Sequence, residues 1–219
     1  DELIEPGQPL AAGQLYNSNR YTLQAVLETL GITLIDGGTL PDRRDETEAR
    51  LAALADQADV ILSSGGVSVG EEDHVKAAVE TLGELLIWKL AIKPGKPLAV
   101  GRLGDAAFLG LPGNPVAVWV TLLVAGLPFL RWAEGEAYAL PLPTYLPVRF
   151  ARKPGKRQEY LRVRRVAGPD GPELEAYPNQ SSGVLSSVAW ADGLAWQAID
   201  QAVAPGDRLP YLSVADWLG

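Results

Sequence analysis

The apolar run Val60-Ile61-Leu62 passes directly into Ser63-Ser64-Gly65-Gly66 and, after Gly70, into Glu71-Glu72-Asp73. No other stretch constrains the fold as tightly: a buried strand has to end in a small-residue turn, and a helix with an acidic first turn has to follow. Ser63 and Ser64 offer hydroxyls, while Gly65 and Gly66 let the backbone reach positive φ and bring N–H groups close to a ligand. Glu71, Glu72 and Asp73 suit the positive end of a helix dipole and equally suit a divalent cation. The segment also fits an ordinary strand-to-helix loop, because glycine-rich turns of this kind are common.

The periodicity around it extends the pattern. Leu23, Val26, Leu27 and Leu30 recur at helical spacing from Arg20 to Leu30, with Asn17, Ser18 or Asn19 as the cap and Gly31 as the stop. Ile32 to Ile35 reads as a strand, Asp45 to Ala58 as a helix, Asp73 to Leu82 as another, and Leu85 to Trp88, Pro97 to Val100 and Ala106 to Leu111 as further apolar runs. Helices alternating with short apolar strands predict a parallel sheet covered on both faces, hence an α/β class. A long helix from Asn114 to Trp132 closes this part, with Asn114 as cap and Pro115 at the first helical position. The proline-rich stretch from Ala139 to Pro147 reads as a stiff linker. Beyond it the short segments Val148–Phe150, Tyr160–Val166, Glu173–Tyr177, Gly193–Ile199 and Arg208–Val214 predict a small β domain.

At 219 residues and 47% hydrophobic content the chain is long enough for two small domains with their own cores. The absence of cysteine removes disulfides and thiolate chemistry. A net charge of −8 argues against general nucleic-acid binding, and that acidity sits in residues 1–140. No apolar run is read as long enough for a membrane span, and no signal peptide is read, so the expectation is a cytoplasmic protein without a membrane partner. The chain has no methionine and opens on Asp1-Glu2-Leu3-Ile4, which reads as a piece of a longer protein.

Other clusters bear on chemistry. Lys89, Lys93 and Lys96 lie on a Gly/Pro-shaped loop and fit either an oxyanion site or a solvated loop. Gly110-Leu-Pro112-Gly113-Asn114-Pro115 follows a strand and opens the long helix, where N–H groups face outward at the sheet's carboxyl edge; a rigid helix-entry turn is the plain alternative. Asp42 follows another strand, and with Asp73 it could offer two hard oxygens to magnesium beside a phosphate; surface capping would explain it as well. His74 is the only histidine, which excludes a His-based metal cage. The basic residues from Arg149 to Arg165 form either a solvated hairpin face or a source of arginines for a bound phosphate.

In order and in register, Ser63-Ser-Gly-Gly-Val-Ser-Val-Gly70 with Asp73, Lys89 to Pro97, and Leu111-Pro-Gly-Asn-Pro115 resemble the molybdopterin molybdenumtransferase family, MoeA and the gephyrin E domain, over its third and fourth domains. The resemblance implies a three-layer α/β sheet domain of the molybdopterin-binding type at residues 1–140, its first strand missing, and a small C-terminal β-barrel domain at residues 141–219. It implies an enzyme of molybdenum cofactor biosynthesis that takes adenylated molybdopterin and molybdate, joins the metal to the dithiolene, and releases AMP with the help of Mg2+. Catalytic roles would fall to Asp42, Asp73, Lys89 and Lys93, with Asp42 and Asp73 holding the magnesium. Substrate binding would involve Glu2, Ser63, Ser64, Gly65, Gly66, Ser68 and Lys96, then Pro112, Gly113, Asn114 and Pro115, and in the β domain Arg162 and Ser182. The family's first two domains help build its cleft across a dimer, so a homodimer is implied for the full-length protein and inactivity for this fragment alone. Other molybdenum-cofactor enzymes are the implied partners. A molybdopterin adenylyltransferase and a non-catalytic scaffold of the gephyrin type are the alternatives.

Overall fold

A computed structural model describes residues 2–41, 43–66, 74–136 and 140–219. The chain divides into two compact units: one holds residues up to Lys89 together with Pro97–Gly113, the other holds Leu90–Lys96 and Asn114–Gly219.

In the first unit, β1 (Leu3–Ile4) pairs in parallel with β2 (Leu15–Tyr16). Helix α1 (Ser18–Thr29) follows, and its cap is Asn17, whose side chain accepts the Arg20 N–H. α2 (Arg44–Ala55), β3 (Val60–Ser64), α3 (His74–Leu82), β4 (Gly83–Lys89), β6 (Pro97–Leu103) and β7 (Ala106–Leu111) complete the unit; β5 (Ile92–Lys93) belongs to the other. The sheet runs β3-β7-β6-β4. Leu51 of α2 and Val75, Ala78 and Val79 of α3 pack on Ile61, Ala99, Leu103, Ala106 and Phe108 to form its core.

Two expectations are corrected here. The sheet is mixed: only β3 and β7 are parallel, while β6 is antiparallel to both β7 and β4. The cause is the two-residue turn Gly104-Asp105, in which Gly104 takes φ 58° and Leu103 pairs with Ala106; so short a connection can only reverse the chain. Ile32–Ile35 forms no strand among the described residues, and Leu34 and Ile35 are 41% and 45% exposed. β-branched composition makes a segment fit a sheet but does not supply the neighbouring edge a strand needs.

In the second unit, α4 (Pro115–Thr121), a π-helical turn (Leu122–Gly126) and α5 (Leu127–Ala133) run on as one long helix. Pro128 lacks the N–H that would close an α-helical bond, and the chain widens in the turn before it. The run Pro115–Ala133 is, by length and composition, apolar enough to cross a membrane, which corrects the reading that none is; 61% of its apolar window is buried inside the protein, as in a core helix.

β8 (Thr144–Pro147), β9 (Gln158–Gly168), β10 (Gly171–Ala176), β11 (Gly193–Gln197) and β12 (Arg208–Ser213) form a sheet in the order β10-β9-β11-β12-β8, with β5 added alongside β9. α6 (Ser186–Trp190) and α7 (Val214–Leu218) are single turns too short to show periodicity in sequence. β8 lies inside the stretch expected to be a linker; its one proline, Pro147, is its last residue, and β8 is an end strand paired with β12. Val148–Phe150, expected as a strand, makes only an isolated bridge from Val148 to Leu174. No closed barrel forms among the described residues. Leu146, Val148, Leu161, Val163, Leu174, Ala195, Leu209 and Tyr211 make the core of this sheet.

Candidate functional site

In the first unit the parallel pair β3 and β7 ends in two turns side by side. Register sets Ser63 opposite Gly110 and Ser64 opposite Leu111, and the Gly65 N–H donates to the Leu111 carbonyl at 3.0 Å. Gly65 and Gly66 take φ 82° and 66°, the left-handed region where glycine carries no Cβ penalty. The backbones then touch: a Cβ built on Gly113 would stand 3.7 Å from the Gly65 Cα. Asn19, in the first turn of α1 and 7% exposed, donates its Nδ2 hydrogen to the Gly113 carbonyl at 2.7 Å. Ser63 Oγ and Asn19 Oδ1 are buried with no hydrogen-bond partner among the described residues.

In the second unit, the loop from Leu90 to Lys96 is closed by the Leu90 N–H donating to the Lys96 carbonyl. Its Gly95 lies against the long helix so closely that a Cβ there would meet Thr121 Cγ2 at 2.3 Å. β5 sets Lys93 beside Glu159, and the Lys93 ammonium reaches that carboxylate at 3.1 Å. Arg152 reaches the same oxygen at 2.6 Å. Two cations thus neutralise a carboxylate that is 8% exposed.

The same unit buries Arg162 completely, at 0% exposure. Its Nε donates to Ser187 Oγ at 3.1 Å and its Nη2 to the Ser181 carbonyl at 3.2 Å, while Nη1 is buried without a partner among the described residues. Burial pulls its pKa down to about 10, with Glu159 opposing that shift and Arg152 adding to it, so it stays cationic at neutral pH. One residue beyond Ser181, the Ser182 carbonyl accepts the Val116 N–H at 3.0 Å at the start of α4. That helix start is therefore partly capped from within the unit; the Asn114 side chain makes no capping bond.

Residues 1–132 match the family model described as "Probable molybdopterin binding domain", and residues 143–213 match the "MoeA C-terminal region (domain IV)". The chain belongs to the molybdopterin-binding domain family. The molybdopterin molybdenumtransferase of Haemophilus influenzae is 48% identical over 136 residues, 62% of this chain and 34% of that protein. The molybdenum cofactor synthesis protein cinnamon of Drosophila melanogaster is 32% identical over 196 residues, 88% of this chain and 33% of its own length. The chain thus spans about a third of these curated relatives. The solved molybdopterin biosynthesis MoeA protein from Pyrococcus horikosii has the same fold, with a TM-score of 0.80 at 24% identity over 97% of this chain and 51% of that one.

Within this chain the first unit brings together Ser63, Ser64, Gly65, Gly66, Pro112 and Gly113. The second holds Asn114, Pro115, Arg162 and Ser182 around the helix start and Lys93 on Glu159. Glu2 is exposed beside β1, where its carbonyl accepts the Leu15 N–H, and Lys89 ends β4 opposite Pro97. Lys96 is exposed. Asp42, Ser68 and Asp73 lie outside the described residues, and with them both carboxylates expected to hold magnesium. Among the described residues no group of three or more His, Cys, Asp or Glu could hold a metal ion. The basic run of the β domain is mostly paired: Arg149 with Glu173, Arg152 with Glu159, Lys156 with Asp200, Arg164 with Glu175 and Arg165 with Asp192. Asn19 and Glu159 are the two residues of interest that sequence reasoning did not assign to the site.

Proposed function

We propose that the protein containing this chain acts in molybdenum cofactor biosynthesis as a molybdopterin molybdenumtransferase. It joins molybdate to the dithiolene of adenylated molybdopterin and releases AMP. The observation that carries this reading is the meeting of the Ser63–Gly66 and Gly113 turns at the carboxyl ends of β3 and β7, inside the segment matched to the molybdopterin-binding model. Strand ends of this kind are where open α/β sheets take their ligands. The match of residues 143–213 to the MoeA C-terminal region favours this activity over the adenylyltransferase one, which would leave that segment without a role.

In this reading the turn hydroxyls and glycine N–H groups hold the pterin and its phosphate. Arg162, cationic and rigidly held, offers its remaining N–H to an anion. Lys93 is kept as a catalytic residue that supplies positive charge, and catalysis is positioning and charge stabilisation. Asp42 and Asp73 are kept as the proposed magnesium ligands and, with Lys89, as catalytic residues, Lys96, Glu2 and Ser68 as further substrate contacts, residues 141–219 as the small barrel domain, and a cytoplasmic homodimer as the working form.

The test is incubation of the full-length protein with adenylated molybdopterin and molybdate, following AMP and pterin-bound molybdenum together. Stoichiometric release of AMP with metal uptake is expected. Transfer of AMP from ATP onto metal-free molybdopterin would replace this reading with the adenylyltransferase one, absence of metal insertion by the folded wild-type protein would favour a scaffold, and unchanged insertion in Asp73→Ala would remove Asp73 from the catalytic set.

A further inference from the structure

We infer that Asn19 is a specificity residue that reads an N–H donor on the pterin ring, an assignment that rests on the proposed reading and deepens it. The geometry fixes which end of the amide is available. The Gly113 carbonyl can only accept, so the group at 2.7 Å from it must be the Asn19 NH2, and Oδ1 is left facing elsewhere. That oxygen is buried on a residue 7% exposed and has no partner among the described residues. A buried amide oxygen without a donor costs free energy, and such atoms in native folds call for an explanation.

Helix capping does not explain it, because Asn17 already caps α1 by accepting the Arg20 N–H. Clamping the Gly113 turn explains only the nitrogen. Ser63 Oγ, the other buried orphan of this unit among the described residues, stands on the strand whose following turn touches Gly113, so both unpaired atoms belong to residues that frame the same pair of turns.

The chemistry of Oδ1 selects the ligand group. A neutral acceptor repels phosphate and molybdate oxygens and attracts an amide or amino N–H. On the proposed substrate the amino-pyrimidinone edge of the pterin and the adenine amino group both carry such hydrogens, and the match of this unit to the molybdopterin-binding model favours the pterin. Ser63, whose hydroxyl can donate or accept, suits a neighbouring ring nitrogen or carbonyl. Asn19 would therefore tie substrate recognition to turn geometry: its nitrogen holds the turn, and its oxygen reads the base.

The experiment is a fluorescence titration of the full-length protein with pterin and with 2-N,N-dimethylpterin, which lacks the amino hydrogens. Wild type should prefer pterin by about tenfold, the ratio expected from one hydrogen bond to a buried acceptor. Asn19→Ala should bring the ratio close to one, whereas Asn19→Asp, which keeps an acceptor and loses the clamp, should retain the preference while lowering the unfolding midpoint. If Asn19→Ala does not fold, Asn19→Ser, with a hydroxyl for Gly113 and no Oδ1, takes its place. Binding of pterin with the preference intact in the Ala or Ser variant would overturn the assignment and leave Asn19 a purely structural clamp. Failure of folded wild type to bind either pterin would overturn the pterin reading of the site as well.

Discussion

Gly65 and Gly113 meet backbone to backbone where β3 and β7 end, each placed so that a Cβ on it would stand 3.8 and 3.7 Å respectively from the other's Cα. Those are ordinary contact distances, so space is not what requires glycine here. Conformation separates the two: Gly65 has φ 82°, and Gly113 does not lie in the left-handed region. Gly65→Ala should therefore lower unfolding free energy by about 1–2 kcal/mol, while Gly113→Ala should change it by less than about 0.5 kcal/mol. Urea denaturation of both variants measures the difference; equal losses would contradict it.

Glu159 gathers Arg152 and Lys93 onto one nearly buried oxygen. Removing its charge leaves two cations facing one another, so Glu159→Gln should cost about 1.5–3 kcal/mol, the range for hydrogen bonds to charged groups. Lys93→Met should cost at most about 1 kcal/mol, because the lysine side chain is 47% exposed and its pairing is screened by solvent. Denaturant unfolding of the two single variants and the double variant gives the coupling. Additive effects would mean that the Lys93 contact is incidental.

Arg162 should separate stability from function. Its guanidinium is wholly buried with Ser187 and the Ser181 carbonyl as its hydrogen-bond partners among the described residues, so desolvation is poorly compensated. Replacing such a charge with an apolar side chain of similar volume is often neutral or stabilising. Arg162→Met should keep its unfolding free energy within about 1 kcal/mol of wild type or raise it, while AMP release by the full-length protein falls by about 10²-fold, the loss typical of one oriented donor. A folded Arg162→Met variant with full activity would remove Arg162 from the proposed site.

The parts of this structure that were legible in the sequence are those where local pattern and tertiary role agree. Val60 to Gly66 declares a strand and a glycine turn by itself, and α1 to α3 and β9 to β12 follow from periodicity and turn residues. What was missed depends on partners distant in sequence. The alternation of helices and apolar runs predicts a parallel sheet, whereas the two-residue Gly104-Asp105 turn folds β6 back on β7 as a hairpin. β8 was masked by Pro141, Pro143 and Pro147 in and around it, which together read as a linker. Asn19 stands in a run of cap-forming residues, and only its bond to Gly113, 94 positions away, distinguishes it from them. Glu159 is a lone acid among basic residues, and a charge count along the chain cannot show that it is the one placed inside.

Tyr211 gives the pH dependence its clearest sign. Its hydroxyl donates to Asp192 Oδ1 at 2.8 Å, and the residue is 3% exposed. Burial, and then the bond to Asp192, raise its pKa above the ordinary tyrosine value. The folded state thus holds a proton that the unfolded chain releases near pH ~10. The stabilisation is fully present below that pH and is lost as pH climbs from there through the folded pKa. At neutral pH, Tyr211→Phe should cost about 1.5 kcal/mol, at the low end for a bond to a charged acceptor because Arg165 still contacts the Asp192 carboxylate. Phenylalanine does not titrate, so the gap between wild type and Tyr211→Phe should stay constant from pH 7 to about pH 9 and narrow above about pH 10. Unfolding free energies measured across that range, with tyrosinate absorbance at each pH, check the sign. Parallel curves for the two proteins above pH 10 would mean that Tyr211 ionises in the folded state as readily as in the unfolded chain.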